Sequence, residues 1–277
     1  MLQLEIDFRA RVWGGQRLKA GPDNIGEAWI AYEHNRVKGG PHAGQTLAEV
    51  AAQLGPALLG SVPWSRTGAR FPLLIKVLDC EDWLSVQVHP NDIQAARLEG
   101  HGAFGKTEAW HILEAASGAR LIAGTRPGVD RDALAAAIAA GSVLDVVAFR
   151  DARAGDTVLM PAGTMHALGP GLLIYEVQQT SDLTYRVWDW DRPASAGRSL
   201  HIAQSLEVVD PESHPRIRSQ REEVAIERLT SCDYFTLDKH TLGGAARHLD
   251  TRGRSFHVVT AVAGDVLVSG RAGAHRL

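Results

Sequence analysis

Residues Gly155-Asp156-Thr157-Val158-Leu159-Met160-Pro161-Ala162-Gly163-Thr164-Met165-His166 decide the fold. Thr157 to Met160 is a short run with β-branched and apolar side chains, which reads as a strand. Pro161 cannot donate to a sheet ladder and ends it. The Pro-Ala-Gly step that follows is a turn, and it delivers a histidine towards the mouth of a barrel. The rest of the chain repeats this texture of short strands punctuated by turns, using 28 glycines and 12 prolines. The pattern indicates a mainly β protein, a sandwich or jelly-roll barrel.

A second stretch works with the first. In Leu84-Ser85-Val86-Gln87-Val88-His89-Pro90 successive strand side chains point to opposite faces. Leu84, Val86 and Val88 share one face and can pack on a sheet. Ser85, Gln87 and His89 share the other, which sets a hydroxyl, an amide and an imidazole in a row. Such groups are costly to bury unless something engages them, and they are a natural beginning for a metal site. Residues 106–114 alternate as well, with Lys106, Glu108 and Trp110 on one face and His111 on the other, where it reads as structural. A lone strand histidine is more often structural than a ligand. His89 and His166 together with Glu108 point to metal binding.

The chain has 277 residues, 45% of them hydrophobic, and a formal net charge of -3. That is enough for one large or two small domains with a sizeable core. Basic residues are scattered, without the dense footprint of a nucleic-acid binder. No apolar run approaches the roughly 20 residues of a transmembrane helix. The opening Met1-Leu2-Gln3-Leu4-Glu5-Ile6-Asp7 has no signal-peptide core, so a cytoplasmic location is expected. Cys80 and Cys232 read as two reduced thiols.

Working outward, residues 2–8 alternate like a half-buried strand, and Val12-Trp13-Gly14-Gly15 reads as a tight turn. Residues 25–32, with Glu27, form a strand. Thr46 and Glu49 make a capping box for a helix to about Leu54. Residues 71–79 are nearly all apolar, as in a strand buried on both faces. Residues 91–98 form a helical turn, and residues 119–124 are expected to pair with 106–114 as a hairpin. The clearest helix is 130–140, alanine-rich with an acidic start. Strands over 172–178 and 183–188 and a helix over 199–209 follow. Pro211-Glu212-Ser213-His214-Pro215 is the best linker. The expected division is a metal-binding domain over 1–210, with helical insertions at about 46–54, 130–140 and 199–209, and a small β-rich domain over 216–277. In the latter, 256–262 and 265–268 are expected to form a hairpin around Ala263-Gly264.

The spacing of Gly155, Pro161, Gly163 and His166 resembles the second signature of the cupin superfamily, a jelly-roll barrel with a metal inside. The first signature normally gives two histidines and a glutamate; here Gln87 and His89 stand for the pair and Glu108 for the glutamate. Six motifs occur in one order: Trp13-Gly14-Gly15, Gly26-Glu27-Ala28-Trp29, the Ser85–Pro90 strand, the segment from Gly105 to Trp110, the segment from Pro161 to His166, and Tyr185-Arg186-Val187-Trp188-Asp189-Trp190-Asp191-Arg192. Together they resemble type I mannose-6-phosphate isomerase, closest to its shorter bacterial branch, over about residues 4–210. The resemblance implies an aldose–ketose isomerase that interconverts mannose 6-phosphate and fructose 6-phosphate through an enediol(ate). It implies one Zn2+ per chain, held by Gln87, His89, Glu108 and His166. Arg186 and Lys106 match its active-site cations, Ser85 its phosphate-side serine, and Arg192 a lysine of longer relatives. Glu27 is a further acid–base candidate, and Trp13 a candidate for the pocket rim. The implied partner is a small hexose phosphate, with neither nucleic acid nor membrane. In the family the C-terminal part continues further, so 216–277 is expected to be a shortened domain with an open sheet edge.

The ligand set is chemically reasonable. Zinc accepts imidazole and carboxylate, and an amide oxygen is an uncommon but tolerable fourth ligand; one carboxylate leaves a net charge of about +1, suited to polarising a sugar oxygen. Isomerisation needs a base beside a carbonyl and a stabiliser for the enediolate, and these residues leave the base open between Glu27 and a metal-bound water. Two other readings compete. One is a metal-cupin with other chemistry, such as an iron oxygenase using two histidines and a carboxylate. The other is a non-catalytic sugar-phosphate-binding cupin. Lys106 and Arg186 weigh against the oxygenase, which has no general need of a phosphate-sized cationic pocket.

Overall fold

Period-two alternation along the chain is converted into two stacked sheets. The computed structural model describes residues 1–193, 198–219, 224–270 and 273–277. Its strands are β1 (Asp7–Gly15), β2 (Ile25–Ala31), β3 (Leu73–Cys80), β4 (Val86–Val88), β5 (Glu108–Ala115), β6 (Arg120–Thr125), β7 (Val147–Asp151) and β8 (Thr157–Met160), then β9 (His166–Leu168), β10 (Leu172–Gln179), β11 (Tyr185–Trp188), β12 (Arg216–Arg218), β13 (Ile226–Ser231), β14 (Thr236–His240), β15 (Leu267–Gly270) and β16 (Gly273–Arg276). The α-helices are α1 (Leu47–Leu54), α2 (Pro56–Leu59), α3 (Ser61–Thr67), α4 (Asp92–Glu99), α5 (Arg131–Ala139) and α6 (Ile202–Val208). One sheet has the order β1-β2-β3-β10-β5-β8-β12, the other β11-β4-β9-β6-β7. This is the expected jelly roll.

The chain divides into two compact units. The larger comprises residues 8–28 and 74–241. Its inner core draws Trp110 and Ile112 from β5, Val158 and Met160 from β8, Leu121 and Ala123 from β6, and Leu168 from β9. Side chains of both sheets therefore meet in one apolar layer. The other face of β4, with Val86 and Val88, joins a second cluster that includes Leu134 of α5 and Val208 of α6. α5 and α6 thus cover the outside of the five-stranded sheet.

Three expectations are corrected here. Val12-Trp13-Gly14-Gly15 is not a turn but the end of β1. Its glycines serve close approach: a Cβ on Gly14 would lie 2.3 Å from the backbone nitrogen of Gly26, and one on Gly15 would lie 2.5 Å from Asp79 Oδ2. Residues 119–124 do not pair with β5. β6 pairs with β7 and β9, while β5 pairs with β10 and β8. The turn between them crosses from one sheet to the other, because Ala116 N–H bonds Gly171 and Ala119 C=O bonds Ala152. Finally, residues 256–262 form no strand.

The smaller unit comprises residues 1–7, 29–73 and 242–277. Thr46 caps α1 with the expected box: Thr46 Oγ1 accepts from Glu49 N–H at 3.2 Å, and Glu49 Oε2 accepts from Thr46 N–H at 2.7 Å. Carbonyls of Gly253 and Arg254 accept the N–H groups of Ser61 and Val62, the unsatisfied donors at the start of α3. Phe256 then packs on Phe71 at 5.1 Å. This docking draws the chain away from a hairpin at 263–264, and the pairing instead joins β15 to β16. Both cysteines are free.

Candidate metal centre

β4 places Gln87 opposite His166 of β9, and β11 places Arg186 opposite Gln87. β5 of the facing sheet brings Glu108. The turn Pro161–Gly163 is tied to the site, since Gly163 N–H donates to His89 C=O at 2.8 Å. Gly163 itself takes φ +86°, a left-handed conformation that favours glycine.

His89, Glu108 and His166 are all buried, with ligand atoms within 4.8 Å of one another. The two Nε2 atoms are 3.1 Å apart, and His166 Nε2 is 3.3 Å from Glu108 Oε1. His166 Nδ1 lies 2.8 Å from Thr164 C=O. A carbonyl only accepts, so Nδ1 carries the proton and Nε2 presents a lone pair. Glu108 Oε1 accepts no hydrogen bond. Two acceptors thus face each other with no proton between them, which is the environment of a cation. The Gln87 amide is 3.3 Å from His166 Nε2, and either end of an amide can occupy that place. The four residues expected as ligands are therefore together, and their donor set fits zinc.

Lys106 adjoins this cluster. Its Nζ is 2.8 Å from Glu108 Oε2 and 3.0 Å from His89 Nε2. Burial works against the Glu108 carboxylate, but Lys106 and His166 together hold it below its ordinary value. Burial, reinforced by Lys106 and His166, pushes His89 well below its ordinary value. Burial likewise lowers His166, with Glu108 opposing. All three ligands are thus held in the metal-binding protonation state.

Behind the cluster runs a buried ionic chain, of which the sequence reading picked out only Glu27. Lys76 of β3 contacts Glu176 of β10 at 3.0 Å and Glu27 of β2 at 3.5 Å. Arg11 reaches Glu27 at 2.7 Å, and Trp110 Nε1 donates to Glu176 at 3.0 Å. Burial would discharge Lys76, but Glu176 and Glu27 outweigh it and raise its value. Burial raises Glu176. The available signal was a lysine inside a strand whose other residues, Asp79 apart, are apolar. Trp13 is 3% exposed and belongs to the inner core. His111 bonds Thr157 at 2.9 Å, on the face away from Glu108.

At the other end of the same strand face, Arg186 Nε donates to Ser85 Oγ at 3.2 Å. Arg192 contacts Asp82 at 2.7 Å, Asp189 at 2.9 Å and the Trp83 carbonyl at 2.6 Å. Two further residues were missed. Arg198 Nη2 also donates to Ser85 Oγ, at 3.3 Å. His201 Nδ1 accepts Arg186 N–H at 3.2 Å, while His201 N–H donates to Arg186 C=O at 2.8 Å. Among the described residues no helix is long and apolar enough to cross a membrane.

A two-sheet jelly roll with a buried histidine–glutamate–histidine cluster inside defines a metal-type cupin. Residues 1–105 match the catalytic-domain family of type I phosphomannose isomerases. The chain is 36% identical over 254 residues to mannose-6-phosphate isomerase ManA of Bacillus subtilis, covering 86% of this chain and 78% of the relative. It is 36% identical over 265 residues to the mannose-6-phosphate isomerase of Streptococcus mutans, covering 90% and 81%. The crystal structure of the Bacillus subtilis mannose 6-phosphate isomerase resembles it with a TM-score of 0.76 at 32% identity, covering 86% of this chain and 78% of that one. The chain belongs to the type I phosphomannose isomerase family.

Proposed function

We propose that this protein interconverts mannose 6-phosphate and fructose 6-phosphate in the cytoplasm, by proton transfer between C1 and C2 through an enediol(ate), with one Zn2+ per chain. The observation that carries this reading is one strand face with a cation-ready cluster at one end and guanidinium groups at the other. Ser85 and His89 are four residues apart, about 13 Å along an extended strand, a span on the scale of a hexose phosphate. An oxygenase has no use for the guanidinium end.

Gln87, His89, Glu108 and His166 would hold the zinc, which supplies Lewis acidity at a sugar oxygen. Lys106 Nζ, beside two of those ligands, stabilises negative charge developing on the enediolate and can exchange a proton there. Arg186, held on Ser85, takes the phosphate end, where a guanidinium can make paired hydrogen bonds to phosphate oxygens. Glu27, set between Arg11 and Lys76, holds Lys76 in place against Glu176. Trp13, buried in the inner core, has a packing role rather than a place at the rim.

Assaying purified protein for the isomerisation, with and without chelator, tests the assignment. Turnover that chelator abolishes and zinc restores is expected. A folded, zinc-loaded protein that converts neither sugar phosphate overturns it.

A further inference from the structure

Two guanidinium groups converge on one buried hydroxyl. Arg186 Nε and Arg198 Nη2 lie 3.2 Å and 3.3 Å from Ser85 Oγ, and Ser85 is fully buried. Like charges at such range repel, and partial burial strengthens the repulsion. Burial lowers Arg186. Burial also lowers Arg198, to about 10, with Asp189 opposing and Arg186, Arg192 and Arg11 adding to the fall. Asp189 Oδ1 stands 3.0 Å from Arg198 Nη1, yet that nitrogen is buried without a hydrogen-bond acceptor. The same Asp189 oxygen is shared with Arg192. One carboxylate therefore faces several cations, and donor capacity beside Ser85 is left over.

Arg192 is differently placed. Trp190 and Asp191 both adopt left-handed backbone, φ 57° and 54°, a conformation costly for residues other than glycine and concentrated at functional sites. The turn they make folds Arg192 back onto Asp82 and the Trp83 carbonyl. Its Nη1 and Nη2 atoms are engaged by Asp189, Asp82 and the Trp83 carbonyl. The cation that the motif order puts at 192 is thus occupied, and the one left with open donors is at 198.

Resting on the phosphosugar reading above, we propose that Arg198, rather than Arg192, makes the second cationic contact to the substrate phosphate, opposite Arg186 across Ser85. Two guanidinium forks and a serine hydroxyl match a phosphate dianion in charge and in hydrogen-bond count. The phosphate replaces repulsion between the arginines with two attractions, so phosphorylated sugars are selected over free ones.

The test measures kcat and KM for mannose 6-phosphate, the inhibition constant of inorganic phosphate, and the thermal shift that inorganic phosphate produces. Arg198→Gln is expected to raise KM and the phosphate inhibition constant together by roughly 10- to 100-fold, the scale of a lost charge-assisted bond, with kcat changed much less. Arg198→Lys keeps the charge without the fork and is expected to fall between the two; it also serves if the glutamine variant does not fold. Variants that keep wild-type KM and phosphate inhibition overturn the inference while the isomerase assignment stands. If the wild-type protein shows no isomerase activity, the phosphate-induced thermal shift still decides: its loss in the variants supports the anion site, and equal shifts overturn it.

Discussion

His166 meets two groups that act as acceptors, the Glu108 carboxylate and His89 Nε2, which faces the donor Lys106 Nζ at 3.0 Å, while Thr164 fixes its other nitrogen as the proton carrier. Removing the ring deletes one of the ligands and leaves Glu108 Oε1 facing an empty space. His166→Ala is expected to weaken zinc binding by more than the roughly 100-fold typical of losing a supporting group alone, and to abolish isomerisation. Zinc content after gel filtration reads this, with circular dichroism confirming the fold; a variant that keeps one zinc would mean the ligand set is wrong. At this scale strand alternation made the shared face of Gln87 and His89 legible, while the ligand set came from the family resemblance; the buried cluster of His89, Glu108 and His166 fits it. Lys76 and Glu176 were not, because each sits in a run whose apolar neighbours dominate the pattern. Arg198 was hidden for another reason: it follows β11 in irregular chain, where no period assigns a side chain to a face.

β11 carries Arg186, and its position depends on the residue that opens α6. His201 clamps Arg186 twice, through its ring nitrogen and its own N–H. The ring must be neutral to accept. Burial, helped by Arg186, lowers the His201 value below 6.5. A depressed histidine value favours the neutral ring in the folded state, so this contribution is present in full above the unfolded value of about 6.5 and is lost as pH falls from there through the folded value. KM for mannose 6-phosphate is therefore expected to rise on the acid side by about fivefold, the scale of one neutral hydrogen bond. His201→Asn, whose amide oxygen accepts without titrating, should flatten that limb; identical pH profiles for the two proteins would exclude the clamp. Element positions were read well wherever punctuation was local, as with α1 and its Thr46–Glu49 box. They were misread where partners are distant. Alternation in residues 119–124 identifies β6 but carries no information about which sheet it joins. Likewise Gly14 and Gly15 look like a turn until the close approach of Gly26 and Asp79 is known.

Every residue assigned to the site lies within the unit formed by residues 8–28 and 74–241, and the ligands come from both of its sheets. A metal that binds only when β4, β5 and β9 are in place links those strands thermodynamically. With free zinc at 100 times its Kd, the linkage adds about 2.7 kcal/mol, equivalent to about 100-fold in an opening equilibrium. Amides of β4, β5 and β9 that exchange by openings which separate the ligands should therefore slow by up to that factor when zinc is added to chelator-treated protein. Amides of α1, α2, α3, β15 and β16, which contribute no ligand, should slow only to the extent that they exchange through openings that also dismantle the site. Hydrogen-exchange mass spectrometry on peptides spanning 84–90, 106–115 and 161–168 measures the first group directly. Unchanged exchange in all three, under zinc concentrations that restore activity, would show that the cluster does not join the two sheets through the metal. Protection in these peptides that exceeds any gain in 47–67 locates the coupling in the jelly roll, where the fold places the imidazoles and the carboxylate on opposite sheets.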